Sequence, residues 1–375
     1  MMRRAWLAVA AIGCSSSPPA VQHALGMNDV SILLPLPTDA TTPVLAPFAP
    51  MVDASSFTGV VLRGDLGSRT GDTTIELDQF QIVALRFDVC DRSTVGPCPA
   101  DVDGRLRLIV QPIIAGTSGP TTLDVASHVF YPIPAADLPD VVDELRDLAA
   151  LGDTPDADPL EVTLAAKNPA YLTKLAALVA KYAKPANNVR ITAAGQVAET
   201  TPFEWHFREL DSDGSQFTPT LIPEVDLYQQ QMQVTDGDIT YQVPSLGVAD
   251  APVGFALSIE GSYFQAASPT NQALALDALA QVMNPTLNDA VNTQCMSCHV
   301  ATYLASYRSG ELGVDPSTSP SWYHTSRNIT APLANSDARQ VRAFGYVDAT
   351  PIVSQRVVND TAHTLDDFDA LYPAR

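Results

Sequence analysis

The sequence has little positive charge and no long hydrophobic run. Of its 375 residues, 21 are basic and 42 are acidic, which gives a formal net charge of −21. A surface of this sign repels nucleic acid and anionic membrane surfaces, so the composition argues against binding to either. A helix needs about 20 consecutive apolar residues to cross a bilayer, and no stretch of the chain is apolar over that length. Contact with a membrane would therefore need an anchor other than a spanning helix.

Several sequence motifs typical of enzymes are also absent. The chain has no G-x-S-x-G, no H-E-x-x-H and no glycine-rich phosphate loop, which are typical of hydrolases, zinc peptidases and nucleotide-binding proteins. The run from Asp211 to Gly214 looks like the start of a calcium loop. The remaining acidic ligands of an EF-hand are missing at their spacing, so we interpret this run as a solvated turn. The sequence does not support a hydrolase.

The first residues have the composition of an export signal. Two arginines precede the apolar run 5–12, which is too short to span a bilayer. Small residues then lead directly to Cys14 and three serines. This arrangement resembles the signal of bacterial lipoproteins, and the resemblance implies that Cys14 is lipidated and becomes the first residue of the mature chain. Ordinary signal-peptidase cleavage after Ala10 is the alternative, and it implies export as well.

The remaining four cysteines form two pairs. Cys90 and Cys98 flank a polar loop with a Gly-Pro turn and are predicted to form a disulfide. Disulfides persist in oxidising compartments outside the cytoplasm, which agrees with the export signal. Cys295 and Cys298 form the second pair, so that each of the five cysteines has a predicted use.

The second pair belongs to the sequence Cys295-Met296-Ser297-Cys298-His299. C-x-x-C-H is the attachment motif of a c-type haem. Two thiols about one helical turn apart add to the two vinyl groups of one porphyrin, and the histidine then gives an imidazole nitrogen to the iron. The alternatives are a thioredoxin-like dithiol, a plain disulfide and a metal site. Structural zinc would need further nitrogen or sulfur ligands, and no other cysteine pair lies nearby in the sequence.

The motif does not fix the second axial ligand of such a haem. No methionine follows Met296, so the methionine that commonly ligates the iron from downstream is missing. The candidates are His324, His363, the upstream Met283, or no ligand. Of the two histidines, His324 is preferred because it lies in a loop beside two aromatic residues, where a ring could be covered.

Other charged residues and histidines were considered for the same site. Arginines in the C-terminal region could pair with the haem propionates, with ordinary surface ion pairs as the alternative; these are Arg327, Arg339, Arg342 and Arg356. His128 and His206 lie in predicted strands among apolar residues. We interpret both as packed histidines rather than ligands.

The middle of the chain is predicted to be rich in β-structure. Alternation and a high content of β-branched and aromatic residues predict strands over 73–77, 81–89, 105–110, 121–130, 189–191, 203–207, 239–243 and 253–259. Apolar positions at helical spacing predict helices over 137–151 and 170–182. Many strands separated by turn residues favour a sandwich-like antiparallel arrangement with helical insertions.

The predicted organisation is an α+β chain of four parts. They are a signal peptide over 1–13, a lipidated proline-rich tether over 14–56, a β-rich domain over 57–264 and a helical haem-binding unit over 269–375. The apolar run 32–34 within the tether is expected to dock on the body. The last part is predicted to contain helices over 270–283 and 353–371, with the cysteine motif on a helix between them.

The C-terminal part resembles the c-type cytochromes through its C-x-x-C-H motif. The resemblance implies a mostly helical unit with one covalent haem c, in an exported monohaem cytochrome that is lipid-anchored in the bacterial cell envelope. An outer-membrane anchor, facing the periplasm or the exterior, is expected. The partner would be a redox protein of the envelope, and a basic partner would complement the acidic surface.

Two alternatives to this function stay open. One is a haem-free surface lipoprotein that acts as a binding module, with a Cys295–Cys298 disulfide. The other is a haem peroxidase or sensor with an open iron position. The sequence favours electron transfer over an enzyme. The absence of covalent haem would distinguish the binding module from the other two functions. The coordination number of the iron would distinguish the peroxidase or sensor from the electron-transfer cytochrome.

Overall fold

One large antiparallel sheet organises the fold, as a computed structural model of the chain shows. The structure describes residues 23–66, 75–90, 98–99, 101–152, 159–197, 203–222, 227–235, 238–241, 252–288, 293–331 and 341–373. The ten strands of the sheet are β1 Ser31–Leu33, β2 Phe80–Asp88, β3 Gly104–Gly116, β4 Gly119–Thr122, β5 Val125–Ile133, β6 Arg190–Val197, β7 Phe203–Ser212, β8 Phe217–Pro219, β9 Gln229–Thr235 and β10 Asp238–Tyr241. Their order is β1-β2-β3-β5-β6-β7-β9-β10, with β4 beside β3 and β8 beside β7.

A small hairpin and several helices complete the described part of the chain. The hairpin consists of β11 Phe344–Val347 and β12 Thr350–Val353. The helices are α1 Met27–Val30, α2 Ala54–Ser56, α3 Leu138–Gly152, α4 Pro169–Tyr182, α5 Pro252–Ile259, α6 Gly261–Ala266, α7 Pro269–Met283, α8 Cys295–Leu312 and α9 Gln355–Leu371, with a π-helical segment at Phe57–Leu66. None of these helices is both long and apolar enough to cross a bilayer.

The α+β class and most of the predicted elements are confirmed. Strands form where 81–89, 105–110, 189–191 and 203–207 predicted them, and α3, α4, α7 and α9 begin and end within two residues of their predicted bounds. The segment 121–130 is divided, because β4 ends at Thr122 and β5 begins at Val125. A strand was predicted over 73–77, but residues 75–77, the part of it that the structure describes, do not form a strand. The described strands form one sheet and one hairpin.

The strand predicted over 253–259 is wrong, because this segment is the helix α5. A short apolar run suits a buried strand and a buried helix equally well. Phe255 and Ile259 are both fully buried, and their i, i+4 spacing places them on one face of a helix. The buried positions therefore follow the helical period rather than alternation.

The described N-terminal segment belongs to the folded body. Within the segment interpreted as a tether, Ile32 and Leu33 are fully buried and pair with Leu85 and Ala84 of β2. The expected docking of the apolar run 32–34 is therefore confirmed. Residues 1–22, which include the predicted signal peptide and Cys14, lie outside the described residues.

Helices α8 and α9 pack over different parts of the sheet. On α8, the Met296 N–H donates to Oε1 of Gln230 in β9 at 3.1 Å, and Val300 shares a core with Phe207 of β7. On α9, the Thr361 hydroxyl lies 2.7 Å from that of Ser31 in β1. The middle strands of the sheet therefore lie between the two helices.

Candidate functional site

A cavity lies between the sheet and the two helices α8 and α9. Its floor is formed by residues of five neighbouring strands, β2, β3, β5, β6 and β7. These residues alternate along each strand except β6, where the lining includes the consecutive residues 192–194. On β5 these residues are Ala126, His128 and Phe130. Successive side chains of a strand point to opposite faces, so one sheet face supplies the floor. The walls come from the first turn of α8, the segment before the hairpin and one face of α9.

The cavity is open to solvent and has a volume of about 200 Å³. Pockets that enclose drug-sized ligands hold roughly 300–1,000 Å³, so a ligand of that size would extend beyond the cavity mouth. The chemistry of the lining residues is the guide to the class of ligand.

The cysteine motif begins helix α8 and faces this cavity. Gln294 is the N-cap, and Cys295 is the first helical residue. Cys295, Cys298 and His299 all line the cavity. Positions i, i+3 and i+4 lie on one face of a helix, so the helix brings both thiols and the imidazole to the same side.

One hydrogen bond fixes the orientation of the His299 ring. Its Nδ1 lies 2.7 Å from the backbone oxygen of Val341, and because a carbonyl only accepts, Nδ1 donates. Burial lowers the pKa of His299 to about 4, so the ring is neutral at pH 7. A neutral ring with its proton on Nδ1 has an unprotonated Nε2, which is the form that ligates a metal. The ring also contacts Phe207, with centroids 4.9 Å apart.

The two cysteines of the motif are partly buried thiols that are not joined in a disulfide. Burial raises the pKa of both Cys295 and Cys298. A reactive dithiol of the thioredoxin kind requires the opposite shift, because the thiolate is the nucleophile. Within the described ranges, no three His, Cys, Asp or Glu residues are grouped so as to hold a metal ion. Haem iron needs only one or two protein ligands, so that finding does not bear on haem.

The lining of the cavity is positively charged although the chain is acidic. Three acidic residues line it, Asp88, Glu209 and Asp360. Six arginines do so as well: Arg86, Arg105, Arg107, Arg190, Arg342 and Arg356. The charged lining residues therefore carry an excess of three positive charges, which favours an anionic ligand.

Several of these arginines are paired within the lining. Arg86 lies 2.5 Å from Asp88, and Arg356 lies 2.9 Å from Asp360. Arg107 is 3.5 Å from the second oxygen of Asp88. Its buried Nε has no hydrogen-bond partner in the described structure. An unsatisfied buried donor beside a cavity is the kind of group that a bound carboxylate would satisfy.

The arginines predicted for propionate pairing are separated by the structure. Arg342 and Arg356 line the cavity. Arg327 does not line it and instead pairs with Asp366 and Asp369 at 2.7 and 2.5 Å. Arg339 lies outside the described residues. Arg86, Arg105, Arg107 and Arg190 were missed. In Arg105 and Arg107 the signal was visible, since a charge at every second residue of a strand indicates a polar face.

The candidates for a second axial ligand lie in three different environments. His363 lines the cavity, and its ring is edge-on to Tyr323 with centroids 6.1 Å apart. His324 is exposed and does not belong to the lining. Met283 is buried, and its sulfur accepts from the Thr302 hydroxyl at 3.6 Å.

The two histidines interpreted as packed differ from each other. His206 is satisfied as expected, with Nε2 2.5 Å from Glu204 and Nδ1 3.0 Å from Gln229. His128 lines the cavity instead. No local signal in the sequence separates the two histidines.

The predicted Cys90–Cys98 disulfide is present, with the two Cα atoms 5.8 Å apart. Cys90 follows the end of β2 and also lines the cavity. The disulfide therefore holds Cys98 close to the part of the cavity that Cys90 lines.

No protein-family model matches the chain, and no curated protein or solved structure matches it either.

Proposed function

We propose that the cavity holds one covalently attached haem c and that the protein is an exported, lipid-anchored monohaem cytochrome that transfers electrons. The observation that carries the proposal is the arrangement of Cys295, Cys298 and His299 on one helix face that lines the cavity. In C-x-x-C-H sites the thiols bind the porphyrin and the histidine binds the iron. The donor set of the cavity fits that group.

The hydrogen bond of His299 supports the same assignment. Histidines that ligate metals generally donate their other ring N–H to a carbonyl or carboxylate, which fixes the tautomer and makes the ligating nitrogen more basic. The Val341 oxygen accepts such a bond from Nδ1. When bound, the haem supplies one-electron Fe(III)/Fe(II) chemistry. The role of His299 is to hold the iron, and that of Cys295 and Cys298 is to hold the porphyrin.

The charge of the cavity supports a ligand with carboxylates. A haem carries two propionates, and the guanidinium group is suited to carboxylate binding. The excess of three positive charges in the lining, together with the unpartnered Nε of Arg107, provides groups that would compensate them. A dithiol oxidoreductase is disfavoured, because burial raises the pKa of both thiols.

The proposal includes a place and a partner. A lipid on Cys14 would anchor the chain to the cell envelope, with the outer membrane as the expected site. The net charge of −21 favours a basic redox protein as partner. We also propose, as the finer description of the fold, that the β-rich part is sandwich-like and that the C-terminal part is a cytochrome c-like unit.

Haem staining of a denaturing gel tests the proposal directly, because only a covalently bound haem stays with the unfolded chain. The full chain is produced in a host with haem-attachment machinery, next to a Cys295→Ala/Cys298→Ala variant. We expect the wild-type band to stain and its reduced visible spectrum to show a sharp α-band. Both signals are expected to disappear in the variant.

The matched control is the Cys90→Ala/Cys98→Ala variant, which also lacks two cysteines but leaves the motif intact. It is expected to be less stable, because the disulfide is lost, and to stain like the wild type. A colourless wild-type protein from the same host would contradict the proposal. A Cys295–Cys298 disulfide in that protein would favour the haem-free binding module.

A further inference from the structure

We propose that the imidazole of His128, on the central strand β5, is the second axial ligand of the iron that His299 holds. This inference rests on the proposed function and goes beyond it, because it assigns part of the haem site to the large sheet. No feature of the C-x-x-C-H motif identifies His128, which lies 171 positions before His299. The inference depends on where the fold places the two rings.

The first step of the argument is position. His128 pairs with Ile109 of β3 on one side and with Thr192 of β6 on the other. It therefore lies in the middle of the cavity floor. His299 reaches the same cavity from the first turn of α8. The two histidines line the same cavity, one from the sheet and one from the helical wall.

The second step is the hydrogen bonding of the His128 ring. Within the described part of the chain, neither of its nitrogens has a hydrogen-bond partner. His206, two strands away in the sheet order, uses both of its nitrogens. The ring is partly exposed and lines the cavity, so the space beside its nitrogens belongs to the cavity. The unpartnered imidazole on the cavity floor is therefore available to bind a ligand in that cavity.

The direct rival is His363, the other histidine of the lining. It lies on α9, which packs at the β1 edge of the sheet through Thr361 and Ser31, and its ring contacts Tyr323. His299 contacts Phe207 of β7 at the other side of the cavity. His363 is therefore the matched control for the experiment.

The experiment compares purified holoproteins by electronic absorption and electron paramagnetic resonance. Two imidazole ligands give a low-spin, six-coordinate iron, so the wild type is expected to be low-spin and not to bind added carbon monoxide. His128→Ala is expected to become high-spin in the ferric state and to bind carbon monoxide in the ferrous state. Added imidazole is expected to restore the low-spin spectrum. His363→Ala is expected to keep the wild-type spectra.

A second variant covers the case in which His128→Ala does not fold. In His128→Met a thioether replaces the imidazole, and because methionine ligation raises the potential of a haem, the midpoint potential is expected to rise above that of the wild type. An unchanged potential would overturn the assignment. A high-spin wild type, a low-spin His128→Ala without added ligand, or loss of the low-spin form in His363→Ala would do the same. A wild type without covalent haem would instead defeat the proposed function itself.

Discussion

Single hydrogen bonds distinguish three histidines in the described part of the chain. His206 has both ring nitrogens occupied, His299 has Nδ1 occupied, and His128 lines the cavity. The partner of His299 is Val341, which is 42 positions away in the sequence. The sequence predicted His299 through its motif, but it did not separate His128 from His206. Their local sequences are alike, and only the fold determines the partners.

The carboxylate of Asp277 permits a test of pH dependence. It accepts hydrogen bonds from the Ser319 hydroxyl, the Ser321 N–H and the Ser321 hydroxyl at 2.5, 3.0 and 3.0 Å. Burial alone raises the pKa of this carboxyl, but the hydrogen bonds outweigh burial and hold the pKa below its usual value. Asp277→Asn is expected to lower the free energy of unfolding at pH 7 by about 1–2 kcal/mol.

The sign of the pH effect follows from the lowered pKa. The ionised carboxylate stabilises the folded state above the pKa of the unfolded chain, and this stability is lost as the pH falls through the folded-state value. The difference between wild type and Asp277→Asn should therefore shrink between pH 7 and about pH 3. Urea unfolding at several pH values measures it. Asp101→Asn, at an exposed turn, is the control, and a difference independent of pH would contradict the prediction.

At the scale of the elements, the β11–β12 hairpin depends on one glycine. Gly345 has φ +134, and a Cβ at this position would lie 2.4 Å from Oε1 of Gln111. The Gln111 side chain accepts from the Tyr346 N–H at 2.7 Å and donates to the Tyr346 carbonyl at 2.9 Å. This glutamine thereby attaches the hairpin to β3 of the sheet.

Gly345→Ala is expected to destabilise the protein by roughly 1–3 kcal/mol, because the alanine is strained at this φ and displaces Gln111. The matched control is Gly310→Ala on α8, where no atom lies within 4 Å of the added Cβ. Alanine is favoured over glycine inside a helix by about 0.5–1 kcal/mol, so the control is expected to be slightly stabilising. Thermal unfolding compares the two. Equal effects of both substitutions would exclude the proposed steric cause.

The amphipathic helices were predictable and the buried apolar segment was not. In α3 the apolar residues Val141, Leu145 and Leu148 recur at helical spacing and are buried. The segment that became α5 is apolar at nearly every position, so that no period distinguishes a strand from a helix. The packing of this segment against α7 decides that it is helical. Gly254 of α5 lies close to the backbone of Leu274 in α7.

At the scale of the whole molecule, the sheet and the C-terminal region share a hydrophobic core. The main cluster contains Leu85 and Leu106 of the sheet together with Val358 and Leu365 of α9. Arg86 of β2 also donates to Thr364 of α9 at 3.1 Å. The predicted division between 57–264 and 269–375 follows a change in the sequence pattern. In the structure, however, the hydrophobic core includes residues from both parts.

We therefore expect the chain to unfold in one cooperative transition. In the Cys295→Ala/Cys298→Ala variant, far-ultraviolet circular dichroism and tryptophan fluorescence should give coincident curves. The isolated fragment 269–375 should be unfolded, because α9 would lose its apolar partners in the sheet. Separate transitions, or a cooperative transition of the fragment alone, would show instead that the C-terminal part is an independent domain.

The sequence by itself determined what depends on neighbouring residues. It predicted the C-x-x-C-H motif, the disulfide across a short loop and the amphipathic helices, because spacings of three, four or eight residues specify them. Only the tertiary structure decided which side chains share the cavity. Arg342 pairs with Asp124 across 218 positions, and His128 and His299 line one cavity only because β5 and α8 pack around the same space. Such contacts follow from the sheet order and helix packing, which no local pattern encodes.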